Sequence, residues 1–325
     1  MPGLFDLPRE QLFSYAGRNP RPADFDAYWD TALAESRARP LDLELRPNPT
    51  LSSRAAECFD LTFAGVDGAR IHAKYARPRG IAAPAPTILE FHGYSGDSGD
   101  WAHRLGWISE GFCVAALDCR GQAGLSQDPG GVRGNTLRGH IIRGAEDPDP
   151  KRLLYRQIFL DTARLAAAVM TFPEVDAARL GTTGGSQGGA LSLACAALEP
   201  RVRRVASVFP FLCDYQRVWE LDLAKDAYEE LKLHFMWRDP RHEREQEFFT
   251  RLGYIDVQHL AARIRGDVLM ITGLMDTVCP PSTQFAAYNK ITAAKQVVFY
   301  PDFGHANLPG SSDLIFNHLA ALRGA

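Results

Sequence analysis

A serine hydroxyl becomes a nucleophile only where a base takes its proton and amides receive the charge that develops on the attacked carbonyl. Gly184-Gly185-Ser186-Gln187-Gly188-Gly189 offers such a serine. Its glycines allow a strand to turn sharply into a helix, with the serine exposed at the strained turn of a G-x-S-x-G elbow. A serine between glycines also arises by chance, and a glycine-rich strand-to-helix turn also serves nucleotide-binding folds. No G-x-G-x-x-G runs through the segment, and no lysine follows to complete a phosphate loop. The neighbours must decide.

The base should be a histidine. Of nine, His305 is best placed: Tyr300-Pro301-Asp302-Phe303-Gly304-His305 follows the last expected strand and precedes the last helix. His318 falls inside that helix, and His103, His234, His242 and His259 fall in helical contexts. An acid must hold the imidazole in the right tautomer. Asp276 directly follows the preceding strand, so the chain order Ser186, Asp276, His305 is that of an α/β-hydrolase. Asp302 is the rival, but three residues before the base it reads better as a turn residue. The oxyanion donors expected are the N–H of Gln187 and, from the His92-Gly93-Tyr94 loop after an early strand, the N–H of Tyr94. Gly96-Asp97-Ser98-Gly99 resembles the serine motif of trypsin-like proteases. That chemistry needs an all-β fold with His and Asp far upstream, so Ser98 is read as a loop residue. No H-E-x-x-H or other metal set stands out, and neither metal nor cofactor is expected.

These residues need a scaffold. Short apolar runs at Thr87–Phe91, Cys113–Leu117, Arg179–Thr183, Val205–Phe209, Val268–Thr272 and Gln296–Tyr300 alternate with helical stretches at Leu154–Met170, Ala190–Leu198, Ser282–Ile291 and Asp313–Leu322. The alternation predicts an α/β fold, a mostly parallel central sheet flanked by helices. Before it, Glu57–Ala64 and Ala69–Ala76 alternate around Gly65-Val66-Asp67-Gly68 and predict an antiparallel hairpin at the sheet edge. Pro22-Ala23-Asp24 opens a helix through about Arg37. The polar, aromatic-bearing segment from about 214 to 263 predicts a helical, cap-like insertion. The whole of 1–325 reads as one domain, with residues 1–50 a helical extension.

Composition narrows the classes. The 325 residues are 46% hydrophobic and 23% charged, with a formal net charge of −3. That is the profile of a folded globular chain with no basic footprint for nucleic acid and no polybasic membrane signal. No apolar run is long enough to cross a bilayer. The start, Met1-Pro2-Gly3-Leu4-Phe5-Asp6-Leu7-Pro8, lacks a signal peptide's basic and apolar regions. Six scattered cysteines (58, 113, 119, 195, 213 and 279) form no C-x-x-C pair. Free thiols in a reducing cytoplasm are expected, with Cys113 and Cys195 as small core residues and a secreted disulfide framework as the alternative.

The chain resembles carbohydrate esterase family seven, the acetyl xylan esterases and cephalosporin-C deacetylases, over nearly its whole length. The resemblance is carried by Leu4-Phe5-Asp6-Leu7-Pro8, Asp24-Phe25 with Trp29, Phe91-His92-Gly93-Tyr94, Arg120-Gly121-Gln122 and Gly184-Gly185-Ser186-Gln187-Gly188-Gly189. It continues through Gly273-Leu274 with Asp276, Pro280-Pro281-Ser282-Thr283, Phe285-Ala286-Ala287-Tyr288-Asn289 and Phe303-Gly304-His305. It implies an α/β-hydrolase fold and removal of acetyl groups from small sugars or cephalosporin C. Ser186, Asp276 and His305 would be its triad, with Tyr94 and Gln187 forming the oxyanion hole. Arg120, Gly121 and Gln122 would brace the loops beside the site. It also implies a cytoplasmic homo-oligomer, a hexamer, with a narrow entrance. The chain departs from the family at Ala306, where glutamate usually follows the histidine.

Rivals are open on the sequence, another serine hydrolase such as a short-chain carboxylesterase among them. A peptidase of the prolyl-oligopeptidase kind shares the elbow but usually carries a large β-propeller ahead of it. An inactive hydrolase fold serving as a ligand-binding protein usually lacks a triad member, and none is missing here.

Overall fold

In the computed structural model, residues 5–130 and 140–324 are described; Leu4 of the amino-terminal motif lies outside them. Among the described residues nine strands form one sheet: β1 (Glu44–Pro47), β2 (Ala56–Ala64), β3 (Arg70–Pro78), β4 (Ala85–Phe91), β5 (Cys113–Leu117), β6 (Val175–Gly185), β7 (Val202–Val208), β8 (Asp267–Gly273) and β9 (Lys295–Tyr300). Their order is β1-β2-β3-β5-β4-β6-β7-β8-β9. β1, β2 and β3 run antiparallel, and β3 joins β5 antiparallel. From β5 to β9 every neighbouring pair is parallel. The mostly parallel sheet is as predicted.

Residues 1–50 are not uniformly helical. Within the described part the α-helices are Arg9–Leu12 and Phe25–Arg37, and β1 follows them. β1 has no alternating apolar face because it is a short, largely exposed edge strand, held by its ladder with Phe59–Thr62. The elbow helix begins at Gln187, three residues before the apolar periodicity starts. Gly188 and Gly189 hid that first turn, since glycine is a poor helix former.

The sheet is buried on both faces. Leu89 and Phe91 of β4 join the large cluster beneath the Leu154–Val169 and Gln187–Leu198 helices, while Ile88 packs on the opposite face with Leu319 and Leu322. Every residue of the Gln187–Leu198 helix is buried, so its burial against the sheet offsets the cost of two glycines in its first turn.

The 214–263 segment leaves β7 and returns to β8 through the helices Tyr215–Glu220, Glu229–Arg238, Glu245–Gly253 and Val257–Leu260. Its two ends are tied together by Asp214 N–H, which donates to the Asp256 carboxylate at 3.0 Å. The Asp214 carboxylate in turn accepts from Tyr15 OH (2.7 Å), Arg18 N (3.0 Å) and Asn19 N (2.7 Å). The amino-terminal arm therefore clamps the base of the insertion.

Candidate active site

Ser186 stands between β6 and its helix at φ 58°, ψ −119°, a left-sided backbone that strains any residue with a Cβ. The turn persists because its surroundings allow no other path. Ser186 N donates to Val208 O at 3.0 Å, and Ser186 O accepts from Phe211 N at 3.1 Å. A Cβ at Gly188 would sit 2.0 Å from Phe91 O, and one at Gly184 would meet the same oxygen at 2.5 Å. These glycines are required by close approach of β4 to the turn.

The Asp276 and His305 loops are stitched to each other, with Met275 N donating to Phe303 O at 2.9 Å and Leu274 N to Tyr300 O at 3.1 Å. His305 Nδ1 lies 2.8 Å from Asp276 Oδ2. Asp276 has no exposed surface, and its Oδ1 accepts from Val278 N (2.9 Å) and Cys279 N (2.8 Å). Those two amides fix the carboxylate so that Oδ2 faces the imidazole. Asp302 is exposed, and the carboxylate that meets His305 is that of Asp276. The His305 ring rests on Phe209 with centroids 4.4 Å apart.

Beside the pair, the buried Cys279 sulfur lies within 4.8 Å of the Asp276 and His305 ligand atoms. Asp276, Cys279 and His305 thus have spacing that could hold a cation. Yet Asp276 and His305 already engage each other, and burial pushes the thiol well above its ordinary pKa, which disfavours the thiolate that a metal takes. The set suits proton handling rather than a resident ion.

On the other side of Ser186, the His92–Ser95 turn is locked by its carbonyls. Cys119 N donates to His92 Nε2 at 3.0 Å, so that nitrogen is unprotonated and Nδ1–H donates to Gly93 O at 2.7 Å. Burial holds His92 below its ordinary pKa, in keeping with a neutral ring. Gly93 O also accepts from Gly96 N at 3.1 Å. A trans peptide is planar, so fixing Gly93 O fixes the opposite direction of the Tyr94 N–H. Gln187 opens its helix, where an amide has no partner within the helix and the dipole is positive. Two amides on either side of a strained serine, with a His–Asp pair beyond it, can stabilise a tetrahedral oxyanion while a proton moves to the imidazole.

A family model for acetyl xylan esterase (AXE1) matches residues 2–322. The chain belongs to the acetyl xylan esterase family. It is similar to the crystal structure of acetyl xylan esterase 1 from Thermoanaerobacterium sp. JW/SL YS485, at 57% identity and a TM-score of 0.95, covering 98% of this chain and 99% of that one. The acetyl xylan esterase from Paenibacillus sp. R4 is similar at 36% identity and a TM-score of 0.89, covering 97% of this chain and 99% of that one. Acetyl esterase Axe7A of Xylanibacter ruminicola is 27% identical over 290 residues, 86% of this chain but only 62% of that curated relative's length. The architecture is the α/β-hydrolase fold.

In this member of the acetyl xylan esterase family, the Arg120-Gly121-Gln122 segment reaches the elbow by the hydrogen bonds of Gln122. Arg120 is wholly buried and grips Asp161 with two bonds of 2.7 Å, Gln157 at 2.8 Å and Val66 O at 3.2 Å. Gly121 turns the chain at φ 72°. Gln122 then reaches the Gln187 side chain at 2.8 Å. Ser98 belongs to a structural hub: Asp118 accepts from Ser98 N at 2.7 Å and meets His72 Nδ1 at 2.7 Å, so the aspartate lies between the other two. All six cysteines are free and buried.

Two side chains beside the site carried no sequence signal. Glu230, in the insertion, accepts from Tyr94 OH at 2.6 Å and from Ile141 N at 2.9 Å. Burial pushes its carboxyl up to about 7. A cavity of about 410 Å³ opens between Tyr94, Ser95 and His140 on one side and Asp226, Ala227 and Glu230 on the other. The second is Tyr155, whose hydroxyl donates to Gln187 Oε1 at 2.7 Å.

Proposed function

We propose that this chain is a serine esterase that removes acetyl groups from small acetylated sugars such as xylo-oligosaccharides, with cephalosporin C as a further candidate. The His305–Asp276 pair, 2.8 Å apart, together with a strained Ser186, is the observation that carries the reading. Ser186 Oγ attacks the acetyl carbonyl while His305 takes its proton, and the N–H groups of Gln187 and Tyr94 receive the oxyanion. Collapse expels the sugar hydroxyl, protonated by His305, and leaves acetyl-Ser186. Water, deprotonated by His305, attacks that ester and releases acetate. Family membership supports an ester substrate, and the sugar side rests on the names of its relatives.

Ser186→Ala should lower p-nitrophenyl acetate turnover by at least about a thousandfold, since nucleophile removal in such triads costs on that order or more. Near-wild-type turnover would remove Ser186 from the mechanism. A p-nitrophenyl ester series should peak at acetate, and a maximum at butyrate or beyond would sink the acetyl preference. Acetate release from a panel of sugar acetates and cephalosporin C identifies the ester. The hexameric, cytoplasmic state implied by the resemblance is part of the same proposal, and light scattering of the purified chain tests the oligomer. No helix among the described residues is long and apolar enough to cross a membrane.

A further inference from the structure

The carboxamides behind the elbow have orientations that follow from partners with fixed roles. Ser95 N–H can only donate, so the atom of Gln122 that it meets at 2.8 Å is Oε1. Gln122 Nε2 then faces Gln187 Oε1 at 2.8 Å, and Gln187 Nε2 returns a bond to Gln122 Oε1 at 3.0 Å. The same Gln187 Nε2 is directed at the carbonyls of His92 (3.3 Å) and Gly93 (3.5 Å), which can only accept. Gln187 Oε1 needs a second donor in this dry setting, and the Tyr155 hydroxyl supplies it at 2.7 Å. Gln122 is half-buried on a loop, whereas Tyr155 has no exposed surface and sits in the first turn of the Leu154–Val169 helix. Burial holds the phenol well above its ordinary pKa, so it remains a donor.

From these contacts we infer that Tyr155 is a positioning residue for the oxyanion hole. Its hydroxyl holds the Gln187 carboxamide in the orientation that presents Nε2 to the His92 and Gly93 carbonyls. The Gly93 carbonyl lies in the peptide plane that aims the Tyr94 N–H, and the His92 carbonyl holds the peptide before it. Without the hydroxyl, a lone pair of Gln187 Oε1 is left unmet in a site closed to water, and the carboxamide turns to relieve it. The peptide of Tyr94 then loses one of its restraints. Tyr155 itself touches no reacting atom. The inference rests on Ser186 as nucleophile and on Tyr94 as an oxyanion donor.

Tyr155→Phe keeps the ring and removes only the donor. Turnover of p-nitrophenyl acetate should show kcat down about tenfold with KM within about twofold, the pattern of an interaction used in the transition state. Phenylboronic acid, which forms a tetrahedral adduct on the serine with an oxygen in the hole, should bind about tenfold more weakly. In a Gln187→Ala background the same change should cost nothing further, because the contact it serves is already gone. A lowered melting temperature with kcat and boronate affinity unmoved would reduce Tyr155 to packing. Equal losses in both backgrounds would do the same. Stoichiometric labelling of Ser186 by a fluorophosphonate separates the two layers. Failure to label the unsubstituted protein overturns the nucleophile and the inference together. A labelled variant with unchanged boronate affinity overturns only the role of Tyr155.

Discussion

The catalytic role proposed for Asp276 resides in one atom's orientation. Its Oδ1 is occupied by the amides of Val278 and Cys279, so Oδ2 has no choice but to face His305. Asp276→Asn should keep the two amide bonds through its carbonyl oxygen and place an NH2 group opposite His305 Nδ1. The imidazole would then have to accept at Nδ1 and carry its proton at Nε2, the nitrogen that takes the proton of Ser186 in the proposed mechanism. We expect kcat to fall by about 10³ to 10⁴, as tautomer errors of this kind do, with little change in thermal stability. Steady-state kinetics beside a melting curve would check both halves, and a large loss of stability would mean that the asparagine has broken the loop instead. Ala306 follows His305 as an exposed residue whose amide caps Gly304 O at 2.9 Å, a contact that needs no particular side chain.

At the scale of elements, the amino-terminal arm fastens the helix that follows the Asp276 loop. Asp6 accepts from Ser282 N at 2.7 Å, at the start of the Pro281–Tyr288 helix, and pairs with Arg217 of the insertion at 3.0 Å. The arm also receives Asn289 Nδ2 on the carbonyls of Leu12 and Tyr15, each at 2.8 Å. Asp6→Ala would strip a helix cap and leave Arg217, about one-fifth exposed, without its carboxylate. The combined cost should be roughly 2–4 kcal/mol, measurable by urea unfolding; a change under about 0.5 kcal/mol would show that the arm is not a brace. Nothing in the periodicity of residues 5–17 announces such a role. The parallel strands were legible because each is a buried apolar run, and Cys113–Leu117 agrees to the residue. The elbow was legible because its glycines answer steric contacts that recur wherever a strand turns so sharply. β1 was not, since an exposed edge strand is specified by its partner's backbone. Tyr155 and Glu230 were hidden for a related reason: their partners, Gln187 and Tyr94, lie 32 and 136 residues away, and no local spacing encodes such contacts.

The molecule as a whole keeps ionisable groups inside it, and they set opposing slopes on its stability. Burial pushes Glu230 up to about 7, and burial with the neighbouring Asp214 charge pushes Asp256 up to about 7. Burial pulls His259 down to about 3 and His234 down to about 4, the latter despite Glu146 at 3.4 Å. For a carboxyl whose folded pKa is raised, the folded state holds a proton that the unfolded chain has released. Its stabilising contribution is intact below the unfolded pKa, near 4.5, and is lost as pH rises to about 7. For a histidine whose folded pKa is lowered the sign reverses: stability is intact above about 6.5 and is lost as pH falls. Glu230→Gln removes the first kind of slope and His259→Gln the second. Relative to the unsubstituted protein, Glu230→Gln should therefore gain about 1.4 kcal/mol per pH unit as pH rises from about 5 to 6.5, whatever its offset at a single pH. His259→Gln should change by about the same amount in the opposite direction, gaining as pH falls. Urea unfolding of the three proteins at pH 5.0, 5.5, 6.0 and 6.5 reads the two differences directly. Parallel stability curves would mean that neither group is held away from its ordinary pKa. Slopes of the same sign would mean that one of the two is ionised inside the fold.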